Sequence, residues 1–241
     1  SRPQALLSAC PVYAETPLSA MDLGKNTQVL VKDESARMRL GSFKALGGTY
    51  AVAQMINDAW REAGNAPLTP EEFTSDAAKE IASTMTFMCA SAGNHGLSVA
   101  AGANIFGAKA RIHLSEEVPE GFAERLRGIG AEVVRSGPTY ETSLDAANKD
   151  AAETDALLLA DGSWPGYTYR PSLVMEGYTV IAEEMRRAFK RGAQPWPTHV
   201  FLQAGVGGLA SAIAYMIRRN WTEQPDIIIV EPEAAPCLKN S

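Results

Sequence analysis

The sequence has no apolar run long enough to span a bilayer, no block of basic residues, no internal repeat and no low-complexity tract, and only three cysteines among 241 residues. The first absence excludes a helical membrane span. With 46% hydrophobic residues, the chain instead buries a substantial core, as one large or two modest domains. The second absence, with a formal net charge of -6, argues against nucleic acid and for a small-molecule ligand. Cys10, Cys89 and Cys237 are odd in number and far apart, mostly in apolar surroundings. That pattern fits reduced thiols in a cytoplasmic protein better than a disulfide frame or a metal knuckle, so no metal site is expected. No signal-peptide pattern is visible at the start, which is Ser1 rather than methionine.

What is present is an alternation of strands and helices. Residues 1–28 mix prolines with short apolar pieces and read as irregular chain, followed by a short strand at 29–32 and a charged loop at 33–39. Leu46, Tyr50, Ala53, Ile56 and Trp60 then recur at three- and four-residue steps, the mark of an amphipathic helix ending near Gly64. Thr69, Pro70, Glu71 and Glu72 read as the cap, first-turn proline and acidic first turn of a further short helix. From Thr84 on, strands at 84–90, 110–114, 131–135 and 156–160 are separated by helices at 94–106, 119–129 and 139–153, and a second unit places strands at 198–202 and 226–230 around a helix that ends near Asn220. A long helix, 171–191, joins the two. This spacing predicts an α/β protein with two open parallel-sheet domains.

Chemistry-bearing residues fall at the starts of helices and the ends of strands. In the stretch GSFKALGGTY, Ser42 is a good cap and Lys44 lies in the first helical turn, where the macrodipole repels a cation. A lysine there is either directed to solvent or held for its amine chemistry. Gly47 and Gly48 follow inside the helix at a cost of about 1 kcal/mol each relative to alanine, so something packs closely against that turn. Three further features lie beyond the carboxyl ends of strands, where open parallel sheets bind ligands. In SAGNHG, residues 91–96, small residues and backbone amides suit an anion and Asn94 offers a donor and an acceptor; a tight turn with a capping asparagine is the alternative, and His95 reads more readily as a packed histidine than a catalytic one. In AGVGG, Gly205, Val206, Gly207 and Gly208 precede Leu209 and a helix, an arrangement that wraps a phosphate. Gly205, Gly207 and Ala210 also fit the G-x-G-x-x-A dinucleotide pattern with Glu231 downstream, which keeps a nicotinamide oxidoreductase open. Asp161, after the strand ALLLA, is either a turn former or a carboxylate placed to move protons.

With SFK, SAGNHG and AGVGG in this order, the sequence resembles the fold type II, tryptophan-synthase-β-like, pyridoxal-phosphate enzymes. Within that group the longer agreement through KDESARMRLGSFKALGGTYA, DGSWPGY, MEGYTVIAEEM, THVFLQAGVGG and IIIVEPEAAPC is similar to the diaminopropionate ammonia-lyases and covers most of residues 28–238. The resemblance implies pyridoxal 5'-phosphate held by Lys44 as a Schiff base, with Asn94 facing the ring hydroxyl. It also implies that Gly205, Val206, Gly207, Gly208 and Leu209 hold the phosphate and that Ser91, Ala92 and His95 lie at the substrate. For the ammonia-lyases it implies a further role for Asp161, taking or giving a proton at the substrate carbon. The implied reaction removes ammonia from 2,3-diaminopropionate to give pyruvate, in a cytoplasmic homodimer.

Two departures from the family pattern stand out. The ammonia-lyases carry an acidic residue where this chain has Ala92, which puts the substrate enantiomer in doubt and brings a serine, threonine or hydroxyaspartate dehydratase forward as the alternative. The hydroxyl or thiol residue that fold type II proteins place opposite the ring nitrogen, far along the chain, finds no segment here. The expectation is therefore a fold incomplete at its C-terminal end, which also admits a non-catalytic ligand-binding fragment. The domains expected are a smaller one, 45–165, and a larger one formed by 1–44 with 166–241.

Overall fold

The longest helices set the frame. α2 (Lys44–Glu62) packs against α4 (Asn94–Phe106) on one side and α7 (Tyr169–Lys190) on the other, and α7 in turn packs against α8 (Gly208–Asn220). The computed structural model describes residues 1–24, 27–91 and 93–240. Residues 45–57 of α2 are all buried, because the helix has neighbours on both flanks rather than one apolar stripe.

A four-stranded parallel sheet is formed by β3 (Thr86–Ala90), β4 (Lys109–Leu114), β5 (Glu132–Arg135) and β6 (Leu157–Leu158), in the order β5-β4-β3-β6. Phe87, Met88 and Cys89 on its central strand are fully buried, as expected of a parallel strand covered on both faces. The helices α5 (Glu120–Gly128) and α6 (Tyr140–Glu153) connect the strands. A second parallel pair, β7 (His199–Gln203) with β8 (Asp226–Val230), flanks α8. The predicted α/β architecture with parallel sheets is therefore the observed one.

Three expectations need correction. Residues 1–28 are not irregular throughout: α1 (Arg2–Ser8) buries Leu6 and Leu7, and β1 (Leu18–Asp22) pairs antiparallel with β2 (Gln28–Lys32), Leu18 opposite Lys32. The sequence Leu-Ser-Ala-Met-Asp has little strand propensity of its own, and its partner decides its conformation. The short helix expected after Thr69 is a single 3-10 turn, Glu72–Thr74, without a capping Thr69 side chain; the α-helix, α3 (Asp76–Ser83), follows it, where Ser75 accepts from the Ala78 N–H. Strand β6 is shorter than the apolar run 156–160, because the carbonyl of Leu158 and the N–H of Ala160 bond the Tyr167 hydroxyl instead of extending the ladder.

Candidate active site

The carboxyl ends of β3, β6 and β7 and the N-terminus of α2 carry the residues singled out above. Lys44 is the first residue of α2, and its Nζ forms an ion pair with Oδ2 of Asp161, on the loop leaving β6. Their side chains are 28% and 17% exposed, so the pair is sheltered but open to a ligand. Burial alone would push the Asp161 carboxyl up; His95, then Lys44 by charge and hydrogen bond, outweigh it and hold the carboxyl below the usual carboxylate range. Since burial keeps His95 itself largely uncharged, Lys44 is the partner that matters at neutral pH.

The loop that presents Asp161 is shaped by residues that sequence reading missed. The Tyr167 hydroxyl accepts from Ala160 N–H and donates to the Leu158 carbonyl, both at 2.9 Å, and Arg170 Nη1 donates to the same carbonyl at 2.8 Å. Trp164 stacks on Tyr167 with centroids 4.2 Å apart, closing the turn. The motif DGSWPGY contained this signal, in two aromatics three residues apart around a Pro-Gly turn.

In the SAGNHG turn, Ser91 is engaged by the turn itself: its hydroxyl accepts from the N–H groups of Gly96 at 2.9 Å and Gly93 at 3.2 Å. Ala92 lies outside the described residues. Asn94, the first residue of α4, is exposed, and its amide makes no hydrogen bond to another described residue. His95 is buried and is a strut: Nε2 lies 2.8 Å from the Leu159 carbonyl, so that nitrogen carries the proton, while Nδ1 is buried without a partner.

The glycine loop fits an anion. Gly207 is the N-cap of α8 with φ 86°, a left-handed conformation that favours glycine, and with no capping side chain it leaves the first N–H groups of the helix to a ligand. A Cβ on Gly208 would lie 3.9 Å from the Asp161 carbonyl oxygen, which brings this loop to the Lys44–Asp161 pair across the fold. Val206 is exposed, and Leu209 is partly buried on the core side. Glu231, the carboxylate a dinucleotide would require, accepts from the backbone N–H groups of Leu238 and Lys239 at 2.6 and 3.1 Å. It is engaged in holding its own turn.

Ser42 does not cap α2. The N-cap is Phe43, in helical conformation, and the Ser42 hydroxyl is buried without a partner. That orphan beside a lysine amine, with the accessible Asn94 amide and the uncapped α8 N-terminus, fits a phosphorylated aldehyde cofactor. Among the described residues no cluster of His, Cys, Asp and Glu is arranged to hold a metal, and no helix is long and apolar enough to cross a membrane.

Comparison with known proteins assigns the class: residues 10–241 match the family model for pyridoxal-phosphate dependent enzymes, and the chain belongs to that family. Within it, the chain is similar to the diaminopropionate ammonia-lyase of Salmonella typhimurium, 35% identical over 237 residues that make up 96% of this chain and 58% of that protein. The holo structure of the Escherichia coli diaminopropionate ammonia lyase superposes with a TM-score of 0.87 at 31% identity, over 99% of this chain and 61% of that one. A probable D-serine dehydratase of Burkholderia thailandensis is 27% identical over 98% of the chain and 53% of its own length. The chain thus spans somewhat over half the length of the curated relatives it matches.

Proposed function

We propose that this chain carries the cofactor-holding and proton-moving residues of a lyase that eliminates ammonia from 2,3-diaminopropionate. The α-proton and the β-amine leave, and hydrolysis of the resulting enamine consumes one water, so that pyruvate and two molecules of ammonia are the products. The observation that carries the reading is the Lys44–Asp161 ion pair beside the glycine loop. Bound pyridoxal phosphate would supply an aldehyde for an amine and a ring that draws charge from the α-carbon.

The chain's own residues supply the rest. Lys44 provides the amine, and Asn94 offers its amide to the ring hydroxyl. Gly205, Val206, Gly207, Gly208 and Leu209 hold the phosphate on backbone N–H groups. Asp161, ionised at neutral pH and in contact with the lysine amine, accepts the α-proton and returns it to the departing amine. His95 tethers α4 to the segment leading to Asp161 and so sets the carboxylate's position; with Ser91 it lies on the substrate's side of the site. Strands β3 to β6 lie within residues 45–165 and the remaining strands outside them, which supports a smaller unit there and a larger one from 1–44 with 166–241. A cytoplasmic homodimer is part of the same reading.

The test is an absorbance spectrum and an ammonia assay on the 241-residue chain. A visible band that appears with pyridoxal phosphate, is lost in Lys44→Ala, and changes on adding diaminopropionate supports the reading. No band in either protein refutes it. Binding without turnover would identify a ligand-binding piece instead. Ala92 and the likeness to D-serine dehydratases favour a second reading, a hydroxyl leaving group. Faster ketoacid release from serine, threonine or hydroxyaspartate than from diaminopropionate would establish that one.

A further inference from the structure

Tyr178 sits in the same site, and no role above uses it. Only 3% of the residue is exposed and its hydroxyl makes no hydrogen bond to another described residue, but unlike the wholly enclosed and unpartnered Tyr50 hydroxyl it keeps an opening to solvent. Its ring is seated by glycine. A Cβ on Gly47 would fall 2.4 Å from Cε1 and 2.7 Å from Cζ of Tyr178, so the ring fills the notch that Gly47 leaves in α2. The opposite ring edge faces α8, where a Cβ on Gly208 would lie 3.9 Å from Cε2. Phe43, immediately before Lys44, packs edge-on against the same ring with centroids 5.2 Å apart. The phenol is therefore wedged between the starts of α2 and α8, the positive ends of two helices. Burial, and then the charge of Asp161, raise the hydroxyl well above its ordinary range, so it persists as an O–H donor and not as a phenolate.

We infer that Tyr178 is a further ligand-holding residue, its O–H donating to the phosphate of the cofactor at the start of α8; this rests on the cofactor reading proposed above. Backbone N–H groups of the glycine loop hold an anion from one side, and a neutral donor that cannot titrate away holds it from another. The close packing of Gly47 then has a purpose beyond helix contact, since any larger residue there displaces the ring.

The experiment compares pyridoxal phosphate with pyridoxal as ligands of the 241-residue chain, wild type and Tyr178→Phe. The expected result is a loss of about tenfold in affinity for pyridoxal phosphate with affinity for pyridoxal unchanged, the size of one hydrogen bond to a charged group. Equal losses for both ligands, or no loss for either, overturn the inference. A second measurement needs no aldehyde: inorganic phosphate is expected to raise the thermal midpoint of the ligand-free wild type and not that of Tyr178→Phe, and an equal rise overturns it. Tyr178→His keeps an N–H donor and is expected to hold the preference for the phosphorylated ligand; if it behaves as Tyr178→Phe does, the donor role fails. A wild-type chain that binds neither aldehyde through Lys44 would refute the cofactor reading itself, and this inference with it.

Discussion

Arg37 grips Glu184 with a two-pronged contact, Nη1 to Oε1 and Nη2 to Oε2, each 2.8 Å, and neither side chain reaches solvent. The Glu184 carboxylate also takes the Lys32 ammonium and the Tyr13 hydroxyl, both at 2.5 Å. This network fastens the loop that delivers Lys44 to α7, the helix that carries Tyr178. Immediately after Arg37, Met38 and Arg39 take φ 47° and 60°, left-handed conformations that side chains rarely adopt.

Glu184→Ala leaves a buried guanidinium and a nearby ammonium without their carboxylate. We expect a loss of about 3–5 kcal/mol in unfolding free energy, the cost of breaking a buried pair from one side, read from urea midpoints at pH 7. A change within that of a surface substitution would show that water replaces the carboxylate.

Acid unfolding follows with a definite sign. Burial pushes the Glu184 carboxyl up, but the hydrogen bond and charge of Arg37, then Lys32 and Tyr13, bring it below its ordinary 4.5. The unfolded state therefore binds more protons in that window, and the stabilisation is complete above the ordinary value and drains as pH falls through the native one. His95, kept neutral by burial below its ordinary 6.5, acts in the same direction and starts earlier. Urea midpoints are expected to decline first below about pH 6.5 and again in the carboxylate range, with Glu184→Gln flattening only the second limb.

Asp161→Asn retains the shape of the side chain and removes its ability to accept a proton. On the proposed reaction, the variant binds the cofactor and releases ammonia about 10²–10⁴-fold more slowly. Lys44→Ala loses the cofactor's visible band outright. An Asp161→Asn protein with wild-type turnover would move the α-proton base elsewhere, Lys44 being the next candidate.

The crossing of α2 and α7 is closed by two glycines. A Cβ on Gly177 would meet the Leu46 carbonyl oxygen at 2.7 Å and the Gly47 Cα at 2.8 Å, backbone atoms that cannot turn aside. Gly177→Ala is expected to destabilise by at least about 1–3 kcal/mol. Gly121→Ala on α5, where nothing lies within 4 Å, is expected to be neutral or slightly stabilising. Thermal midpoints of the two variants make the comparison.

Much of the scaffold was legible in one dimension. Periodicity placed α2, and turn signals between apolar runs placed α4, α7 and α8, to within a few residues; the parallel strands followed from apolar runs between helices. The three loops carrying Asn94, Asp161 and Gly205 were legible for the same reason: a strand end followed by small residues and a helix start is a local pattern. What spacing cannot carry is a contact between distant segments. The β1 strand exists because β2 pairs with it, and the exit of Asp161 from the sheet depends on Tyr167 folding back onto Leu158 and Ala160.

Lys44 shows the division most clearly. The residues around it determined on their own that an amine stands at the start of a packed helix, since the glycines and the apolar spacing are both local. Only the tertiary structure decided that Asp161 meets that amine, that Gly208 lies beside them, and that Gly47 makes room for Tyr178. Those three relations join segments whose separation in sequence is bridged by the close packing of α2, α7 and the sheet edges, and close packing has no signature in a single stretch of chain.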